Sequence, residues 1–254
     1  FSGVVGSDGL PLIIYIQSDS GTGGSTHTSL RSVHCGALNC SYSSGNTAAI
    51  LYPFNPSLSV LYFEATIGSD GLPLIAYFST GSGGATMTVL HCGTPSCASG
   101  NTEAFINLPS SGWNWGSGGF AFIIGSDNLP LLVSTTLSAS PFGGDLIAVH
   151  CGDIYCSTGN TETLLVSAPE ADFFAEVRAV RGRDGLPFIT YWKTQNAANY
   201  PMRLKTIHCG DILCSSGNTL KAHALSQYNP SGFNSVSLGR DGFPIISYFL
   251  RTLS

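Results

Sequence analysis

GSDGLPLIIY, residues 6–15, returns as GSDGLPLIAY at 68–77, GSDNLPLLVS at 125–134, GRDGLPFITY at 182–191 and GRDGFPIISY at 239–248. Asp8, Asp70, Asp127, Asp184 and Asp241 therefore recur at intervals of 62, 57, 57 and 57 residues. Between successive copies stands a second phrase: HCGALNC at 34–40, HCGTPSC at 91–97, HCGDIYC at 150–156 and HCGDILC at 208–214, each followed by Gly-Asn-Thr. Self-similarity at such a period is the signature of a repeat architecture.

Each unit reads as four short strands. The apolar run before Asp-Gly is strand A, and Asp-Gly supplies a tight two-residue hairpin whose glycine takes positive φ. In the third copy Asn128 replaces that glycine, and asparagine tolerates the same conformation. Strand B follows, with proline confined to its start, where a missing N–H is tolerated. Strand C runs into the His-Cys pair, and strand D begins at the second Cys. No segment shows a capped helical period. Four strands in about 57 residues, in tandem, is the arithmetic of a β-propeller blade. The expected fold is an all-β propeller of about five blades in a single domain over residues 1–254. Four complete repeats (1–56, 57–112, 113–170 and 171–230) precede a half-repeat at 231–254. The pattern G-x-D-G-L-P-x-I-x-Y, followed by L-x-V-x-H-C and a second Cys, resembles tandem repeats of secreted bacterial proteins. That resemblance implies propeller blades and an extracellular setting, and implies no activity.

All eight cysteines belong to the second phrase, as Cys35/Cys40, Cys92/Cys97, Cys151/Cys156 and Cys209/Cys214. The spacing suits a four-residue hairpin loop in which each pair lies directly cross-strand, within disulfide reach. Metal ligation would need the adjacent histidine, which points to the opposite face of the strand; free thiols are the other alternative. Four bridges with no cysteine left over place the chain in an oxidising, secreted or cell-surface setting. No metal and no cofactor is expected.

Composition narrows the function classes. The chain of 254 residues is 43% hydrophobic and only 10% charged, with 31 glycines, and no apolar run approaches a membrane span. Its start carries no initiating Met and no signal-like stretch, so Phe1 is expected to follow a processing site or a boundary. Up to residue 177 a single basic residue, Arg31, faces twelve acids, while from 178 onward nine basic residues face three acids. With no basic stripe in an acidic chain, nucleic acid is not an expected partner. The serine- and threonine-rich surface suits O-glycosylation, and the N-x-S sequon Asn39-Cys40-Ser41 is blocked by its own disulfide cysteine.

Strand parity puts the nearly invariant A–B and C–D loops on one face and the variable B–C and D–A loops on the other, where recognition is expected. Trp113 and Trp115 share one side of an extended segment and could stack on a sugar or partner, or cover a gap between blades. Tyr15, Tyr77, Tyr191 and Tyr248 fall at one repeat position, expected in the core between blades. The turn aspartates could bind Ca²⁺ but lack dense carboxylate spacing, so capping their own turns is the expected role. No nucleophile elbow, zinc-protease motif or phosphate loop is present. A carboxylate pair drawn from Glu64, Glu103, Glu162, Glu170 and Glu176 would suit a glycosidase, but nothing in their spacing selects it.

The leading expectation is a non-enzymatic structural or adhesive propeller. Its C-terminal half-blade, with Phe233, Arg240, Tyr248 and Arg251 at the edge, is expected to meet another copy head-to-tail and build a filament or surface layer. The charge split favours that contact. A lectin-like module binding glycans through the variable face is the alternative, and a carbohydrate-active hydrolase or lyase the third class.

Overall fold

The computed structural model describes residues 1–20, 26–42, 44–53, 58–81, 84–106, 119–136, 144–167, 172–195, 202–226 and 233–249. They form four four-stranded antiparallel sheets and one two-stranded sheet, each with its strands in chain order. The first sheet is β1 (Ser2–Val5), β2 (Pro11–Ser20), β3 (Thr26–His34) and β4 (Thr47–Tyr52). The second is β5 (Leu58–Ile67), β6 (Pro73–Gly81), β7 (Gly84–His91) and β8 (Thr102–Ile106). The third comprises β9 (Ala121–Ile124), β10 (Pro130–Thr135), β11 (Leu146–His150) and β12 (Thr161–Val166). The fourth comprises β13 (Asp172–Arg181), β14 (Pro187–Gln195), β15 (Met202–His208) and β16 (Thr219–Ser226), and β17 (Asn234–Leu238) pairs β18 (Pro244–Tyr248). These are four propeller blades and a half-blade. Among the described residues no helix is long and apolar enough to cross a membrane.

The chain divides into two compact units, residues 1–107 with 154–157, and residues 108–153 with 158–254. In the first unit β1 packs on β5; in the second β13 packs on both β9 and β17. Leu12, Ile14, Leu30, Ile75, Tyr77 and Leu90 fill the first core. Leu131, Val133, Leu146, Phe174, Ile189 and Tyr191 fill the second. The shared tyrosine position is not uniformly interior: Tyr77 and Tyr191 are buried, Tyr15 is half-buried, and Tyr248 on the half-blade is exposed.

Every A–B connection is a three-residue loop rather than the expected two-residue one. Gly6 N donates to Leu10 O, and Gly9 N donates to Gly6 O, both at 3.0 Å. This is a turn closed by a residue in the left-handed region, Gly9 at φ 75°, the bulged alternative to a two-residue turn. Asn128 holds that position at φ 69°. The aspartate caps its own turn, as Leu10 N→Asp8 Oδ1 at 3.0 Å shows. The prolines Pro11, Pro73, Pro130, Pro187 and Pro244 each open strand B.

The cysteine pairs form disulfides, with Cα separations of 4.7–4.8 Å at Cys35–Cys40, Cys92–Cys97 and Cys209–Cys214. Cys151 and Cys156 are disulfide-bonded too, and no described cysteine is free. They are not cross-strand pairs, however. Strand C ends at the histidine and strand D starts at the threonine of Gly-Asn-Thr, so His34 faces Thr47 and His91 faces Thr102. The bridge closes a tight turn inside a longer loop, and its second cysteine takes positive φ, as at Cys97 with 54°. The asparagine of Gly-Asn-Thr completes this loop from the far side. Asn101 accepts from Gly93 N at 3.1 Å and donates to Cys97 O at 2.8 Å. A Cβ on Gly93 would lie 2.5 Å from Gly100 O, so only glycine lets the two ends of the loop touch.

Candidate active site

The turn aspartates and phrase histidines, far apart in sequence, meet in every complete blade. His Nε2 lies 2.8 Å from Asp8 Oδ2 at His34, 2.6 Å from Asp70 at His91, 2.7 Å from Asp127 at His150 and 2.8 Å from Asp184 at His208. Each couple ties the end of strand C to the A–B turn. Fourfold repetition in equivalent places marks it as framework, and it answers why the histidine accompanies the cysteine. In the half-blade Asp241 Oδ1 accepts from Phe243 N at 3.1 Å, the same turn cap as in the complete blades. Among the described residues no three His, Cys, Asp or Glu side chains converge as a metal site.

The candidate acids lie on different strands. Glu64 on β5 accepts from Ser2 Oγ at 3.4 Å. Glu103 on β8 accepts from the Tyr77 hydroxyl at 3.0 Å, and burial, reinforced by that carboxylate, pushes the Tyr77 pKa well above its usual value. Burial, with Asp145 nearby, raises the Glu162 carboxyl. Glu170, Trp113, Trp115 and Arg251 lie outside the described residues, as does most of the variable loop face.

Glu176 stands apart because the backbone beneath it is irregular. Along β13 Ala175 pairs with Trp192 and Arg178 with Thr190, leaving two residues opposite one. This is a β-bulge, a device that re-aims a side chain next to functional sites. Glu176 sits in the bulge at φ 51°, a conformation that costs a non-glycine residue about 1 kcal/mol or more. Its carbonyl accepts from Asn234 Nδ2 at 2.5 Å, and Asn234 Oδ1 accepts from the buried Thr190 hydroxyl at 2.6 Å. Three elements thus hold the strained residue in place.

The Glu176 side chain is 16% exposed. Burial raises its carboxyl pKa, an effect that the Arg178 guanidinium only partly opposes. Arg178 Nη2 lies 2.9 Å from Glu176 Oε2, and its Nη1 donates to Val177 O at 2.8 Å. Gly119 leaves the space for that guanidinium: a Cβ there would lie 3.3 Å from Nη1. A desolvated carboxyl of raised pKa, beside an arginine and on a strained backbone, is the environment of a proton donor. The sequence signal was slight, a Glu-x-Arg pair in a strand whose bulge no local motif announces.

No family profile matches the sequence, and no curated protein matches it either. The fold does have solved counterparts. The crystal structure of an endo-arabinase from Bacteroides thetaiotaomicron VPI-5482 matches with a TM-score of 0.58 at 12% identity, over 97% of this chain and 87% of that one. The shared architecture is the β-propeller. This likeness corrects the expectation of a non-enzymatic structural or adhesive propeller assembling head-to-tail. The solved propeller that overturns that expectation is an endo-arabinase, and at 12% identity what the two chains share is the fold. The disulfides agree with an extracellular location.

Proposed function

We propose that this chain is a secreted carbohydrate-active hydrolase in which Glu176 donates the proton to the leaving glycosidic oxygen. The observation that carries this reading is the Glu176 site: a bulged, positive-φ carboxyl, desolvated and raised in pKa, held by Asn234 and Thr190 and flanked by Arg178. A carboxyl that keeps its proton at weakly acidic pH can protonate a leaving group, and an oxocarbenium-like transition state then needs a second carboxylate as base or nucleophile. Arg178 orients the carboxyl through one oxygen. The fold likeness to an endo-arabinase makes arabinose-containing polysaccharide the first substrate class to test.

The test is reducing-end release from arabinan and a panel of other plant and bacterial polysaccharides. The wild-type chain should act on at least one, and Glu176→Gln should lower kcat by about 10²- to 10⁴-fold while circular dichroism stays unchanged. Substituting Glu64, Glu103 and Glu162 in turn then seeks the second carboxylate. A wild-type chain inert on the whole panel, or a Glu176→Gln variant with undiminished kcat, overturns the proposal.

A further inference from the structure

Three polar residues break the apolar pattern of the repeat, and they meet at one seam. Five residues before the first glycine of each turn stand Phe1, Phe63, Phe120 and Val177, but Asn234 in the half-blade. Phe120 and Val177 are buried there, and so is Asn234, at 6% exposure. Eight residues after that glycine the first three blades bury Ile14, Ala76 and Val133, whereas the fourth buries Thr190. Six residues before it, Glu176 stands where other repeats have Tyr62, Gly119 and Phe233. A polar group buried in place of an apolar one is costly unless its hydrogen bonds are made, and local departures from a fold's own rule point to function.

The bonds are made, and the bulge explains them. Glu176 and Val177 have no partner residue on β14, and a side chain reaches each of their carbonyls. Arg178 Nη1 donates to Val177 O at 2.8 Å, and Asn234 Nδ2 donates to Glu176 O at 2.5 Å. A carbonyl only accepts, so the amide nitrogen of Asn234 faces Glu176 and its oxygen faces Thr190. The Thr190 hydroxyl then donates, at 2.6 Å. A flipped amide would set two oxygens against each other. The strands packed on β13 from the adjoining blades, β9, β10 and β17, carry no charged residue. On β14 Lys193 lies over the Phe174 ring, while Arg178 pairs the Glu176 carboxylate. Where that carboxyl sits therefore rests on how its backbone is held.

We infer, on the reading of Glu176 as the proton donor, that Asn234 is a positioning residue of that site. It holds the bulge carbonyl, so that the Glu176 backbone keeps its left-handed conformation and the carboxyl stays desolvated beside Arg178. Thr190 acts one step further out, by locking the Asn234 amide in the one orientation that can donate to Glu176. Both residues act through Glu176.

The test compares Asn234→Leu, Thr190→Val and Thr190→Ser in the full chain. Leucine keeps the size of asparagine without its amide, valine keeps the shape of threonine without its hydroxyl, and serine returns the hydroxyl. One readout is kcat and KM against pH on whichever polysaccharide the wild-type chain cleaves. The other is the titration midpoint of the Glu176 carboxyl carbon by NMR, assigned by its loss in Glu176→Gln. Misplacing a reacting group costs up to about 100-fold in rate, so Asn234→Leu should lower kcat by about 10- to 100-fold and leave KM nearly unchanged. Thr190→Val should lower kcat by about tenfold, near the worth of one buried hydrogen bond, and Thr190→Ser should recover most of that loss. In both damaged variants the alkaline limb of the rate profile and the NMR midpoint should fall together toward the ordinary carboxylate value, because a released carboxyl regains water. The Thr190 pair carries the test should Asn234→Leu fail to fold. A midpoint that keeps its wild-type value in Thr190→Val overturns the inference. So does a fall in kcat with no movement of the alkaline limb, the mark of a merely structural loss. An undiminished kcat in Glu176→Gln instead overturns the proton-donor reading, which the NMR midpoints do not touch.

Discussion

The couples His91–Asp70 and His208–Asp184 are built from the same repeat phrase and close at 2.6 and 2.8 Å, yet one is buried beneath Tyr155 and the other opens into a cleft. Local sequence produces the same hydrogen bond in both. The neighbouring repeat decides the dielectric around it, and a charged hydrogen bond strengthens as water is excluded. Repetition therefore sets geometry blade by blade, while energetics depend on what the next blade contributes, as expected where each repeat chiefly contacts its neighbours.

The largest effect should separate Leu131 from Phe188, which occupy the same repeat position. Leu131 is buried beside the fourth repeat's disulfide, so Leu131→Ala should cost about 3 kcal/mol. Half-buried Phe188 should lose about 1 kcal/mol on the same change, since part of its surface is already in water. Urea midpoints at constant m-value measure both, and equal costs would break the comparison. His91→Ala should cost about 1.5 kcal/mol, because it removes a buried ring together with its hydrogen bond to Asp70. His208→Ala should cost about 0.5 kcal/mol or less, as for an exposed ion pair.

Two further substitutions separate what a repeat owes to its neighbour from what it owes to itself. Glu176→Gly should stabilise the protein by about 1 kcal/mol at neutral pH by relieving the positive φ, while removing the proposed activity. The sign of the pH effect follows from the raised carboxyl: its favourable contribution is full below the unfolded-state pKa and is lost as pH rises through the folded value. The variant's advantage should therefore grow from pH 4 to pH 7, and an advantage that shrinks over that range contradicts the assigned shift. The smallest effect should come from Asp211. Hydrogen bonds from the backbone and side chains of Ser215 and Ser216 lower its pKa to about 2. Its contribution is present above the usual carboxylate value and disappears as pH falls toward 2. Because the group is largely solvated, Asp211→Asn should cost only ~0.5 kcal/mol at pH 7 and nothing near pH 2. Thermal melts across pH read both profiles.

The framework was legible in the sequence because each of its devices is local. Asp-Gly names a turn, a proline in the first strand residue names the start of strand B, and paired cysteines five apart find each other wherever that loop folds. Two finer points escaped. The turn holds three residues instead of two because Gly6 N reaches Leu10 O, and strand D starts later because Gly-Asn-Thr, not the second cysteine, closes the loop. Asp8 and His34 are separated by a whole hairpin, so their couple exists only once strands B and C are paired.

By itself the sequence determined the period, the strand count and the disulfide partners, all consequences of short-range geometry repeated along one chain. Tertiary structure alone decided which disulfide loop covers which histidine, and that Glu176, alone among the described acids, lies at positive φ with its carboxyl desolvated. Those properties belong to contacts between elements some 60 residues apart, where burial and hydrogen bonding are set by a neighbour that no local phrase can name.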